Sequence, residues 1–197
     1  MSFVDVRLKV LKHELGHWLV SRHVGFRAGD IQITIFKGEV KKGVNEYQQD
    51  GSSMVFTAPV LNTIDDLKDY LDRRFQVLYA GIAAQIHGQA MTPEESGRIM
   101  ELDAAGDLRI IRELVPMLRG SVYGPEISPE VSEKQILELL DPNWNKTQSL
   151  VADLYPKIEW MAKTLSPFIK THGRLYNFPL SLLEGTEQHY LAGPGRV

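Results

Sequence analysis

The chain has 197 residues, enough for one globular domain with a real core and too few for two large ones. Its composition, 43% hydrophobic and 24% charged, argues against disorder, and a net charge of −3 gives no electrostatic reason to expect a nucleic acid or an anionic membrane as partner. Cysteine is absent, so disulfides and thiolate metal sites are excluded and any metal must be held by His, Asp or Glu.

The N-terminal residues Met1 to Arg7 lack the charged and apolar regions of a secretion signal, and no apolar run reaches the ~18 residues of a membrane span. The expectation is a soluble, cytoplasmic chain with no membrane segment. Val6, Val10, Leu11, Leu15, Trp18 and Leu19 recur at helical spacing, which predicts an amphipathic helix over roughly residues 4–22. Within it lies His13-Glu14-Leu15-Gly16-His17, which matches the HExxH pattern of zinc metallopeptidases. Residues four apart share a helix face, so His13 and His17 can offer two imidazole nitrogens to one metal. Glu14 lies ~100° round the helix, placed to take a proton from a water that the metal acidifies. Gly16 costs ~1 kcal/mol in mid-helix relative to alanine, so its presence predicts the close approach of another backbone.

Next, Ile31, Ile33 and Ile35 alternate with polar residues and predict a half-buried strand over 29–36. Gly38, Gly43 and Gly51 mark the following stretch as turns and extended loop. Ser53 to Thr57 reads as a second short strand, giving a small sheet with an open edge. Thr63, with Asp66 three residues on, predicts the start of a long helix whose apolar stripe runs from Ile64 to Ile86. A further helix is predicted from about Ala104 to Leu114, ended or kinked by Pro116. Ser128-Pro129 opens a short helix that Asp141-Pro142 closes. Asn143 caps a final long one, kinked at Pro156 and ended by Gly173, and the residues from Ala192 to Val197 read as a mobile tail. The predicted class is α+β, mainly helical: one domain with a small sheet, a metal-site part over about 1–120 and a helical subdomain over about 121–197, with no linker between them.

Catalytic zinc usually takes three protein ligands, so His13 and His17 need a partner. His23, His87, His172 and His189 are candidates, as are Glu101, Asp103, Asp107 and Glu113, and periodicity does not choose among them.

The order of segments narrows the choice. His13-Glu14-Leu15-Gly16-His17 is followed by the strand Asp30 to Ile35, by Ala80-Gly81-Ile82-Ala83-Ala84-Gln85, and by Asp103-Ala104-Ala105-Gly106-Asp107-Leu108. In this order the chain resembles the peptidase domain of the FtsH family, ATP-dependent AAA+ zinc proteases of bacterial and organellar membranes. Those enzymes have an HEAGH-type helix, a strand, a GGRAAEE-type helix and a GASNDL-type segment that supplies an Asp ligand. The resemblance implies zinc held by His13, His17 and Asp107, with Glu14 as general base. It covers most of the chain but is concentrated in these segments. Three departures stand out. No P-loop or ATPase accompanies the motif; Gln85 stands where the family has Glu and Ile82 where it has Arg; and an insertion around Gly88–Met100 lengthens the path to Asp107. The functional expectation is an ATP-independent zinc metalloendopeptidase acting on peptides or unfolded polypeptides, with an edge strand near Ser53–Thr57 holding the substrate. A homo-oligomer and a separate ATPase partner are compatible with the resemblance. The alternative is a non-catalytic binding or regulatory module that retains the fold.

Overall fold

A computed structural model describes residues 2–38, 47–125 and 128–193. Helix α1 (Phe3–His23) leads into a hairpin of β1 (Arg27–Lys37) and β2 (Tyr47–Phe56). Four helices follow: α2 (Ile64–Ile86), α3 (Pro93–Asp103), α4 (Ala105–Tyr123) and α5 (Pro129–Leu165). A short 3-10 turn at Ser166–Phe168, β3 (Leu175–Phe178) and α6 (Leu180–Ala192) complete the chain. The fold is α+β and mainly helical, with a three-stranded antiparallel sheet in the order β2-β1-β3.

Local chemistry starts the helices where the sequence places them. Ser2 and Asp5 close a capping box on α1, and Thr63 and Asp66 do the same on α2. The first half of α1 is amphipathic as predicted, but from His13 to Ser21 every residue is buried. There the helix is walled by α2, α5 and the sheet, so its polar His13, Glu14 and His17 are inside the protein. Gly16 is where α2 comes closest. A Cβ built on it would lie 2.5 Å from the Ala80 carbonyl oxygen and 2.8 Å from the Ala84 Cβ, the close backbone approach that a mid-helix glycine implied.

Several elements depart from the sequence reading. Gly51, expected in a turn, lies within β2, opposite Ile33. The polar composition Gln48-Gln49-Asp50-Gly51 has poor strand propensity, and pairing with the apolar β1 overrides it. Gly43 lies outside the described residues. Helix α3 fills the region taken as an insertion, begun by a Thr92–Glu95 capping box. Helix α4 continues through Pro116, and α5 runs through both Pro142 and Pro156 as one 37-residue helix. A helical proline costs ~3 kcal/mol, and here packing offsets it. Val115 and Leu118 bury against Leu71, Phe75 and Leu78 of α2, while the buried Asn143 donates from Nδ2 to Asp72 Oδ1 at 2.9 Å. The long helix ends at Leu165, and Gly173, at φ +76°, precedes a strand that periodicity did not reveal. Ala192 ends α6, and residues 194–197 lie outside the described residues.

Val151, Ile158, Met161 and Leu165 of α5 share one core with Leu11, Leu15 and Trp18 of α1 and Ile31, Ile33 and Ile35 of β1. The helical part from about 121 onward is thus built into the core that carries α1.

Gly16→Ala tests the α1–α2 contact. Alanine gains ~1 kcal/mol of helix propensity, but its methyl overlaps Ala80 and Ala84, and overpacking a core costs ~1–3 kcal/mol. The expected outcome is net destabilisation, read as a lower urea midpoint at unchanged slope.

Candidate metal centre

His13 and His17 project from α1 toward the start of α4, where Asp107 sits in the first turn. Asp107 Oδ2 lies 3.6 Å from His13 Nε2 and 3.3 Å from His17 Nε2. Two donors ~2.1 Å from a tetrahedral zinc stand ~3.4 Å apart, so both separations suit one ion. These three residues are the metal-capable group among the described residues, with all ligand atoms within 4.8 Å of one another. The other sequence candidates are elsewhere. His23, Glu101 and Glu113 are exposed; His87 packs on Tyr155; His172 lies against Phe3 and Tyr47; His189 stacks on Trp160. Asp103 is close by but is held by Lys9 and Gln85.

Helix α2 shapes the seat through one face. The carbonyl of Val77 accepts from His17 Nδ1 at 2.7 Å, which leaves Nε2 as the nitrogen that faces Asp107 and can be given to a metal. One turn on, Gly81 leaves open the space between the imidazoles: a Cβ there would overlap Nε2 of both histidines. Another turn on, Gln85 Oε1 meets His13 Nδ1 at 3.3 Å. The Gln85 amide has its orientation fixed from behind. Its Nε2 donates to Asp103 Oδ2 at 2.7 Å, and Lys9 Nζ reaches the same oxygen at 2.8 Å. A carboxylate only accepts, so the amide NH₂ must face Asp103 and its carbonyl must face His13. His13 then donates from Nδ1, and its Nε2 is free for a metal. Both histidines therefore present the same tautomer, one locked by a backbone carbonyl and the other by a relay of three side chains. A His-His-Asp donor set, with both histidines buried, Asp107 half-buried and room left by Gly81, fits a zinc ion.

The charges follow from burial and proximity. Burial opposes a charge on His17, but Asp107, in charge and hydrogen bond, outweighs it and lifts the imidazole to about 9. Burial likewise opposes the Asp107 carboxylate, and the two histidines hold its pKa well below the usual range. Burial raises Glu14 above the ordinary carboxylate value, with the histidines opposing the shift. Glu14 is 4% exposed and makes no hydrogen bond or ion pair with a described residue. Its carboxylate is accommodated by Gly51 of β2, where any Cβ would collide with it. The whole constellation opens into a cleft of about 390 Å³ between α1, α2, α4 and β2.

No protein-family model matches the chain, and no curated protein matches it in sequence.

The sequence reading did not find Gly81, Gly51, Val77 or the Lys9–Asp103–Gln85 relay as parts of the site. A spacing of four residues joins Val77, Gly81 and Gln85 on one face of α2, but that signal has meaning only once α1 is known to lie across it.

The relay predicts a reciprocal rescue. Gln85→Glu places a second carboxylate against that of Asp103 and should weaken metal binding above neutral pH by ~10–100-fold, the usual cost of losing a partner behind a metal ligand. Adding Asp103→Asn restores a donor facing an acceptor, so the double variant should recover most of the affinity, measured by competition with a chromogenic chelator. The pH dependence of the metal-free protein has a definite sign. His17 is raised from 6.5 to about 9, so its stabilising contribution is complete below about 6.5 and lost as pH rises through about 9. Thermal denaturation should show this alkaline decline in metal-free protein, and His17→Gln should remove it.

Proposed function

We propose that this protein is a zinc-dependent metalloendopeptidase that cuts flexible or unfolded polypeptide without ATP, similar in its site to the FtsH peptidase domain. The observation that carries the reading is Glu14. A buried carboxylate without a hydrogen-bond partner is costly to a fold, and structural sites have no use for one beside the ligands. Here it lies next to the His13–His17–Asp107 donor set, at the mouth of a cleft.

Zinc, when bound, supplies Lewis acidity toward the scissile carbonyl and the attacking water. The chain's own groups do the rest. Glu14 accepts the proton of that water and returns it to the leaving amine nitrogen, a task for which its raised pKa suits it. Val77 and Gln85 hold His17 and His13 in the tautomer that leaves both Nε2 atoms as ligands. Strand β2 is an edge of the sheet, and its residues Gln49 to Ser53 line the cleft. An extended peptide can add to that edge through main-chain hydrogen bonds, which holds substrate with little demand on sequence. No described helix is long and apolar enough to cross a membrane.

Glu14→Gln keeps size and polarity but cannot take a proton. It and the wild type should each bind about one zinc per chain, and the variant should lose ~10²–10⁴ in turnover of casein, with or without nucleotide. Asp107→Ala should lose the metal itself. Elemental analysis and side-by-side digestion read both results. Equal cleavage by zinc-loaded wild type and Glu14→Gln across a broad peptide library would replace this reading with the non-catalytic binding module.

A further inference from the structure

Two arginines in the cleft have no described partner. Arg74 on α2 is half-buried, and Arg109 at the start of α4 is exposed; both line the cleft with the donor set. Neither makes a hydrogen bond, ion pair or ring contact among the described residues. Other arginines close to the site are engaged: Arg73 pairs with Asp69 and lies over Phe26, and Arg22 pairs with Glu187. A guanidinium stays charged at any pH the protein meets, so Arg74 keeps a fixed positive charge in a partly dry wall.

Its position on α2 is specific. Arg74 is seven residues before Gly81, two helical turns along and on the same face, so it lies ~10 Å from the metal seat along the helix axis. An extended peptide advances ~3.3–3.6 Å per residue, which puts Arg74 within reach of a side chain two or three residues from the scissile bond. The carboxylates of the cleft do not neutralise it. Asp103 is held by Lys9, Asp107 lies between the histidines, and Glu14 is buried beside Gly51. Among the described residues, only Asp50, exposed on β2, remains as a counter-charge lining the cleft. The first turn of α4, which has no side-chain cap, opens into the same space through Ala104 and Gly106 and adds positive potential.

We propose that the cleft selects peptides carrying a carboxylate within a few residues of the scissile bond, gripped by Arg74 with Arg109 at the rim. The carboxylate can belong to an Asp or Glu side chain or to the C-terminus of the peptide, since a guanidinium fork recognises either. The inference takes its substrate from the peptidase reading, but binding tests it separately from turnover.

The probes are fluorescent peptides in matched pairs, Glu against Gln at each position and free C-terminal acid against amide. They are titrated into zinc-loaded Glu14→Gln protein and, in parallel, digested by zinc-loaded wild type. A charge-assisted pair predicts a roughly 10- to 100-fold preference for the carboxylate member, and Arg74→Gln should bring that ratio close to one. Preference at an internal position assigns the side chain as the source; preference for the free acid assigns the C-terminus. Equal binding within all pairs, no binding of any peptide, or a preference that survives Arg74→Gln with Arg109→Gln would overturn the proposal. Selective binding without cleavage by wild type would leave the proposal standing and remove the peptidase reading.

Discussion

The contact between α1 and α2 is the constraint from which the site follows. Gly16 lets the helices close until the Ala80 carbonyl and the Ala84 methyl take the place of a side chain. At that separation the α2 backbone reaches His17 and a single α2 side chain reaches His13. Gly81 then has to be bare, because the imidazoles occupy the volume in front of it. A wider crossing would give room for larger residues but would leave both Nδ1 atoms without their partners. Packing and proton placement are thus one requirement, met by two glycines on opposite helices.

Burying two imidazoles and two carboxylates in a small region is expensive unless each is matched. The protein matches three of the four. His17 and Asp107 support one another, and His13 leans on Gln85 and through it on Asp103 and Lys9. The relay also accounts for an amide rather than a carboxylate at position 85. With Asp103 already behind it, a glutamate at 85 would face a like charge, while an amide joins an acceptor on one side to a donor on the other. Glu14 is the group left unmatched, and it is the one assigned the proton transfer in the proposed reaction.

The motif, the helix that bears it, the capped start of α2 and the alternation of β1 were all legible, because each is a local pattern of at most a few turns. Asp107 could be singled out among several carboxylates only by likeness to a family segment; helical spacing favours it no more than Asp103. What stayed hidden was tertiary. The second half of β2 reads as a strand, but its first half, from Tyr47 to Gly51, has the composition of a loop and is a strand because β1 offers it a ladder. Helices α4 and α5 contain prolines that would stop an isolated helix, and they continue because Val115, Leu118 and Asn143 are anchored on α2. Strand β3 has four residues, too few for a period to show.

The place of β3 in the sheet sets an order of assembly. Strand β1 is the middle strand, yet its two neighbours are far apart in the chain: β2 follows at once, while β3 arrives almost 140 residues later, after α5. During synthesis the hairpin and α1 can meet early, but one side of Ile31, Ile33 and Ile35 stays an uncovered ladder until residues 175–178 leave the ribosome. Such an edge invites pairing with other nascent chains. It also means that the sheet on which β2 rests is completed only near the end of translation.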